Sequence, residues 1–128
     1  MSAEHRLVDY LDDMVDAAQQ ACAYVDGLDK AGFIADRRTQ QAVILNLMIL
    51  GEAATRLLNR HSEFAARHPQ VPWQSMKGMR NRLVHGYFDI DVDVVWDTVQ
   101  TSLPALLMQL PLIRDAATSG DSPIEPDA

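Results

Sequence analysis

An all-α antiparallel four-helix bundle is the fold this sequence predicts, and three observations carry the prediction. Apolar residues recur three and four apart in four separate stretches, the period of one helix face. No stretch shows a convincing strand alternation. A proline pair, Pro69 and Pro72, cuts the chain between the second and third stretches. The chain has 128 residues, a single-domain length. A domain of that size buries roughly 65–70% of its unfolded surface, enough for a core without disulfides or metal.

The first helix is expected from about Ala3 to Asp26. Leu7, Leu11, Met14, Ala18, Cys22 and Val25 form its apolar stripe, Asp9, Asp12, Asp13 and Asp16 a solvated face, and Gly27 its stop. Leu28 to Ala35 reads as a connector. Asp36 is the expected N-cap of a long second helix reaching about Arg67. The centre of that helix, Ala42 to Leu50, is apolar nearly all round. Such a helix is buried on more than one side, either as the central core helix of a monomer or against an oligomer partner; we favour the partner. Gly51 permits close packing there, and the carboxylate of Glu52 must be paired or stand near a functional cavity.

A third helix is expected from Trp73 to His85, with Trp73, Met76, Met79 and Leu83 inward and Gly86 as its stop. Asp91 should cap a fourth, buried through Val95, Val99, Leu103, Leu106 or Leu107, and Leu110. Pro104 should kink it, because proline cannot donate to the carbonyl of Gln100, and Pro111 should mark its fraying end. The helical domain is therefore drawn over residues 1–117, with 118–128 an acidic, disordered tail.

Composition narrows the class. With 48% hydrophobic and 23% charged residues the chain is an ordinary globular protein. The lone cysteine, Cys22, excludes an internal disulfide, and its apolar surroundings make it a small core residue. The polar N-terminus has no apolar core of a signal peptide. The longest apolar run is about half of the ~20 residues a membrane span needs. A cytoplasmic protein with no membrane association is the expectation.

The net charge of −7 is unevenly spread. Residues 1–29 carry one base against seven acids, residues 30–88 nine bases against three acids, and residues 89–128 one base against eight acids. The basic middle either meets a local anionic partner or pairs with the acidic flanks, and charge alone does not choose.

Chemistry concentrates between Lys77 and Tyr87, where Lys77, Arg80, Arg82, His85 and Tyr87 fall within eleven residues. The planar fork of arginine suits phosphate. Histidine exchanges protons near neutral pH. Together they can cleave RNA without a metal: the histidine moves the proton between the 2′-hydroxyl and the leaving oxygen, and the arginine stabilises the phosphorane. There is no Gly-rich phosphate loop, CxxC pair or HExxH, and His61 and His68, seven apart, read as surface histidines. Arg80 and His85 lie about 140° apart around a regular helix. Either the helix is distorted before Gly86, or the site is shared between two copies of the chain; we favour the second. A purely structural role remains open at this level, with Arg80 and Arg82 as cations favourable to the helix dipole.

Arg80, His85 and Tyr87 form an R-x4-H-x-Y pattern. With Ile49-Leu50-Gly51-Glu52-Ala53-Ala54, Val71-Pro72-Trp73, Gly78-Met79-Arg80-Asn81 and Tyr87-Phe88-Asp89-Ile90 around it, the chain resembles the HepT branch of the HEPN superfamily over roughly residues 5–114. That resemblance implies a HEPN-type four-helix bundle acting as a homodimer. It implies a metal-independent endoribonuclease without a cofactor, the toxin of a type VII toxin–antitoxin pair, with the active site at the dimer interface. Arg80 and His85 match the catalytic pair, and Lys77, Asn81 and Arg82 the supporting, RNA-binding positions. The antitoxin partner, an MntA-type nucleotidyltransferase, uses ATP to place AMP on the motif tyrosine, here Tyr87. Related helical domains also serve as non-catalytic, substrate-binding subunits of nucleotidyltransferases, the alternative implication.

Overall fold

The computed structural model describes residues 6–120, and all of its regular structure is helical. Helix α1 spans Leu7–Tyr24, α2 Lys30–Ile34, α3 Arg37–Arg60, α4 Ser62–Arg67 and α5 Trp73–His85. A 3-10 turn at Tyr87–Asp89 leads into α6 (Val92–Asp97), a π-helical turn at Thr98–Ser102 and α7 (Leu103–Gly120). Helix α3 is central: it packs against α1 on one side and α5 on the other, and α7 packs on α1.

The core has the periodicity read from the sequence. Leu11, Met14 and Ala18 of α1 are fully buried, together with Tyr10, Val15, Ala17 and Ala21, which widen the expected stripe. The widening follows from α1 meeting both α3 and α7. Leu7 and Cys22 are only partly buried, and Asp12, Asp13 and Asp16 face solvent. Gly27 closes the helix with φ of 83°, a left-handed conformation that favours glycine. The expected start at Ala3 lies outside the described residues.

Two expectations about α3 are corrected. The connector before it contains α2, capped by Asp29, whose Oδ1 accepts from the Gly32 amide at 2.8 Å. Fully buried Phe33 anchors α2 against Trp96 of α6, with ring centroids 5.3 Å apart. The long second helix also breaks at His61, so residues 62–67 form the separate α4. At 24 residues α3 is about 36 Å long, already beyond the reach of the 18-residue α1. A straight continuation would leave the bundle; the break turns Phe64 and Ala65 back into the core. His61 and His68 are half-buried rather than free at the surface, packed on Tyr10 and Phe64 respectively. Asp36 caps α3 as expected, accepting from the Thr39 amide at 3.1 Å and its hydroxyl at 2.7 Å. By length and composition α3 could cross a membrane, yet its Val43–Leu47–Leu50–Ala54–Leu57 face is buried among its neighbours.

The bounds of α5 agree with the sequence reading, from Trp73 after Pro72 to His85 before Gly86. Trp73 donates its indole N–H to the His68 carbonyl at 3.0 Å, which fixes the proline connector beneath it. The last helix is irregular where Pro104 predicts, but by widening: the Leu103 amide bonds to the Thr98 carbonyl, one residue further back than in an α-helix. Val95, Val99, Leu103, Leu106 and Leu110 are its buried face, as expected. Pro111 does not end it. Buried Ile113 and the Arg114–Asp12 ion pair at 3.5 Å hold the following turns on α1, and the helix continues to Gly120. That takes it three residues into the expected tail, whose remainder, 121–128, lies outside the described residues.

Candidate active site

Helices α3 and α5 are in close approach at Gly51. A Cβ there would overlap the Cβ of Arg80 and lie 2.7 Å from the Met76 carbonyl oxygen. The missing side chain lets the stem of Arg80 rest on α3, beside Glu52. Arg80 Nε stands 3.4 Å from Glu52 Oε1, and Arg56, one turn along α3, donates its Nε–H to Glu52 Oε2 at 2.9 Å. The Arg80 side chain is 21% exposed, and its Nε is buried in ionic contact with Glu52 without a formed hydrogen bond. The Glu52 hydrogen bond and charge push the Arg56 guanidinium above its ordinary range.

These groups open into a cavity of about 460 Å³. Tyr10 and Asp13 of α1 form one wall, Met48, Ile49, Glu52 and Arg56 of α3 the floor, and Arg80 and Val84 of α5 the other wall. The sequence reading anticipated Glu52 as paired or beside a cavity, and it is both. It did not anticipate Arg56, Tyr10 or Asp13, which lie 24 to 70 residues from Arg80 in the chain.

The other candidate residues do not converge on this cavity within one chain. Helix α5 is α-helical to its last residue, so the expected divergence of Arg80 and His85 stands and no local distortion removes it. His85 is exposed at the helix end. Tyr87 is 62% exposed in the 3-10 turn and stacks on Phe88, itself 88% exposed, with centroids 4.5 Å apart. Arg82 faces away from Arg80: its guanidinium lies over Gly78 and borders hollows shared with Leu103 on one side and Asp91 on the other. Lys77 and Asn81 are half-exposed. The charge segregation is partly internal, since Lys30 reaches Asp93 at 3.2 Å, whereas Arg56 and Arg80 share Glu52 inside the basic segment. Among the described residues, no cluster of three or more His, Cys, Asp or Glu side chains has metal-binding proximity.

The family model for ribonuclease HepT-like proteins matches residues 14–113, which contain every residue of this site but Tyr10 and Asp13. The chain belongs to the ribonuclease HepT-like family. It is 38% identical over 106 residues to "Probable ribonuclease HepT" of Thermococcus cleftensis, covering 83% of this chain and 92% of that protein. Two relatives from Methanocaldococcus jannaschii, both bearing RNase names, are 33% identical over 95 residues and 32% identical over 104. The first alignment covers 74% of this chain and 76% of the relative, the second 81% and 93%. No solved structure matches the chain at a significant level. The HepT-like match spans the α3–α5 crossing, so the Gly51 contact and the α3 and α5 sides of the Arg80 cavity fall within the matched residues.

Proposed function

We propose that this chain is a metal-independent endoribonuclease that acts as a homodimeric toxin and is silenced by AMP transfer to Tyr87. The observation that carries the reading is the cavity at Arg80: a mostly buried guanidinium held at the edge of a solvent-open hollow, on the helix that ends in exposed His85. The ribonuclease names of the relatives support RNA as substrate.

Arg80 then binds the scissile phosphate and stabilises the charge that develops on its oxygens. The 2′-oxygen attacks phosphorus and the bond to the 5′-oxygen breaks. His85 accepts the proton from the 2′-hydroxyl and delivers one to the departing oxygen. Because the two side chains diverge on one regular helix, one copy supplies the arginine and the partner copy the histidine. Apolar Ile49 lines the Arg80 cavity, and Leu45, one turn before it, is 55% exposed. That surface is suited to cover by a second copy. Lys77, Asn81 and Arg82 add contacts to the RNA backbone.

The exposed Tyr87 hydroxyl is accessible to a partner nucleotidyltransferase that uses ATP. Added AMP puts negative charge and bulk next to His85, which repels an RNA phosphate. Purified homodimer should cleave RNA in the presence of EDTA, and His85→Ala should abolish cleavage with the fold intact. Full activity in that variant sinks the catalytic assignment, and an inert wild-type protein favours a substrate-binding subunit of the nucleotidyltransferase instead. Intact mass after co-expression with the partner should rise by multiples of AMP, and Tyr87→Phe should remove the increase.

A further inference from the structure

We propose that Glu52 is the positioning residue that orients Arg80 for phosphate; the inference rests on Arg80 being the phosphate-binding arginine. A guanidinium has five N–H groups in a planar fork, and the pair at its terminal nitrogens suits a phosphate best. The terminal pair is presented to the cavity only if the Nε side is turned away from it. In this molecule the Nε side faces Glu52: Arg80 Nε is buried and 3.4 Å from Oε1.

Glu52 is itself shared. Its other oxygen accepts from Arg56 Nε at 2.9 Å within the same helix, so each carboxylate oxygen faces one arginine and the Arg56 contact favours this orientation. The preceding residue, Gly51, admits the Arg80 stem against α3. Two consecutive residues of α3 thus define the arginine, one by giving it room and the next by taking one edge of its charge. The 3.4 Å contact is slightly long for a hydrogen bond. Catalytic contacts of this kind are often long in the unliganded protein and tighten in the substrate complex. Two guanidinium groups share the Glu52 carboxylate and the Asp13 carboxylate also lines the cavity, so the fork geometry of Arg80, more than net charge, is what suits a phosphate.

The test is steady-state RNA cleavage by the full-length protein and its variants. Glu52→Ala should lower kcat about 10- to 100-fold with KM changed less than about threefold, since a misplaced catalytic group costs up to about 100-fold. The thermal midpoint should stay near that of the wild type. Glu52→Gln, which keeps an oxygen acceptor of the same reach, should recover most of the loss. Glu52→Asp, which keeps the charge but withdraws it by one methylene, should fall between alanine and wild type and serves if the alanine variant folds poorly. A wild-type or raised kcat in Glu52→Ala or Glu52→Asp, with Arg80→Ala inactive, overturns the positioning role and leaves the Arg80 assignment standing. Wild-type cleavage by Arg80→Ala overturns both.

Discussion

Arg80 and Arg82 are two residues apart on one helix and live in different surroundings. The first is pressed against α3, its Nε buried beside Glu52. The second faces away, its guanidinium lying over Gly78. The residue type is identical, so the difference comes from register: about 200° of rotation separates the two on α5. Each arginine also has its own glycine. Gly51 sits beneath the stem of Arg80, where any Cβ collides with backbone, and Gly78 sits beside Arg82 Nη1, where a Cβ would be 3.5 Å away in ordinary contact. A site therefore has to be read from what a helix face meets, and a count of basic residues along the segment does not supply that.

The largest effect expected from this contrast is catalytic. Arg80→Ala should reduce kcat for RNA cleavage at least about 100-fold, the scale of losing a group that stabilises transition-state charge. Arg82→Ala should act mainly on KM and lower the slope of log affinity against log salt by roughly one, as loss of a single phosphate contact does. Equal losses of kcat in the two variants would erase the distinction between the faces.

Stability should separate the two glycines next. In an exposed helix, Gly→Ala gains up to about 1 kcal/mol from propensity. Gly78→Ala should show that gain in urea denaturation. Gly51→Ala should instead destabilise by about 1–3 kcal/mol, because α5 must move off α3 to admit the methyl group. It should also lower cleavage, since the same movement displaces Arg80. A stabilised Gly51→Ala protein would mean that the close approach at this crossing is dispensable.

The smallest effect is expected at the start of α3, remote from both arginines. Asp36 is held below the ordinary carboxylate range, first by the hydrogen bond from the Thr39 hydroxyl and then by that from the Thr39 amide. A lowered folded value means that the charged cap stabilises the fold above the unfolded pKa of about 3.9, and that the contribution fades as pH falls through the lower folded value. Asp36→Ala should lower the urea midpoint at neutral pH, with the gap to wild type narrowing below about pH 4 and kcat unchanged. A gap that stays constant with pH would show that the cap acts without its charge.

The elements legible in the sequence were those bounded by local chemistry. Pro72 and Gly86 delimit α5, Asp36 caps α3 and Asp91 caps α6, each acting within a few residues of itself. The break at His61 was not legible. Neither proline nor glycine stands there, and the helix turns because the bundle ends. The same division holds at the site. Residue types marked only the Lys77–Tyr87 segment, the R-x4-H-x-Y resemblance singled out Arg80 and His85 within it, and Glu52 stood out as a carboxylate after an apolar run. Joining Glu52 to Arg80 required the α3–α5 crossing, which brings together residues 28 apart in sequence.

The widened turn at Thr98–Ser102 acts as a phase shift. Val95, Val99 and Leu103 follow one another at steps of four, a spacing that drifts around a regular α-helix and stays in line on a wider one. After the turn the steps of three and four through Leu106, Leu110 and Ile113 resume on the same side. Deleting one residue of the turn would let a regular helix form with the stripe still within about 20° of line, whereas making the turn regular without a deletion would carry the α7 stripe about 80° away from α1. The extra residue and the wider turn thus compensate each other, and only the loss of one without the other rotates the buried face.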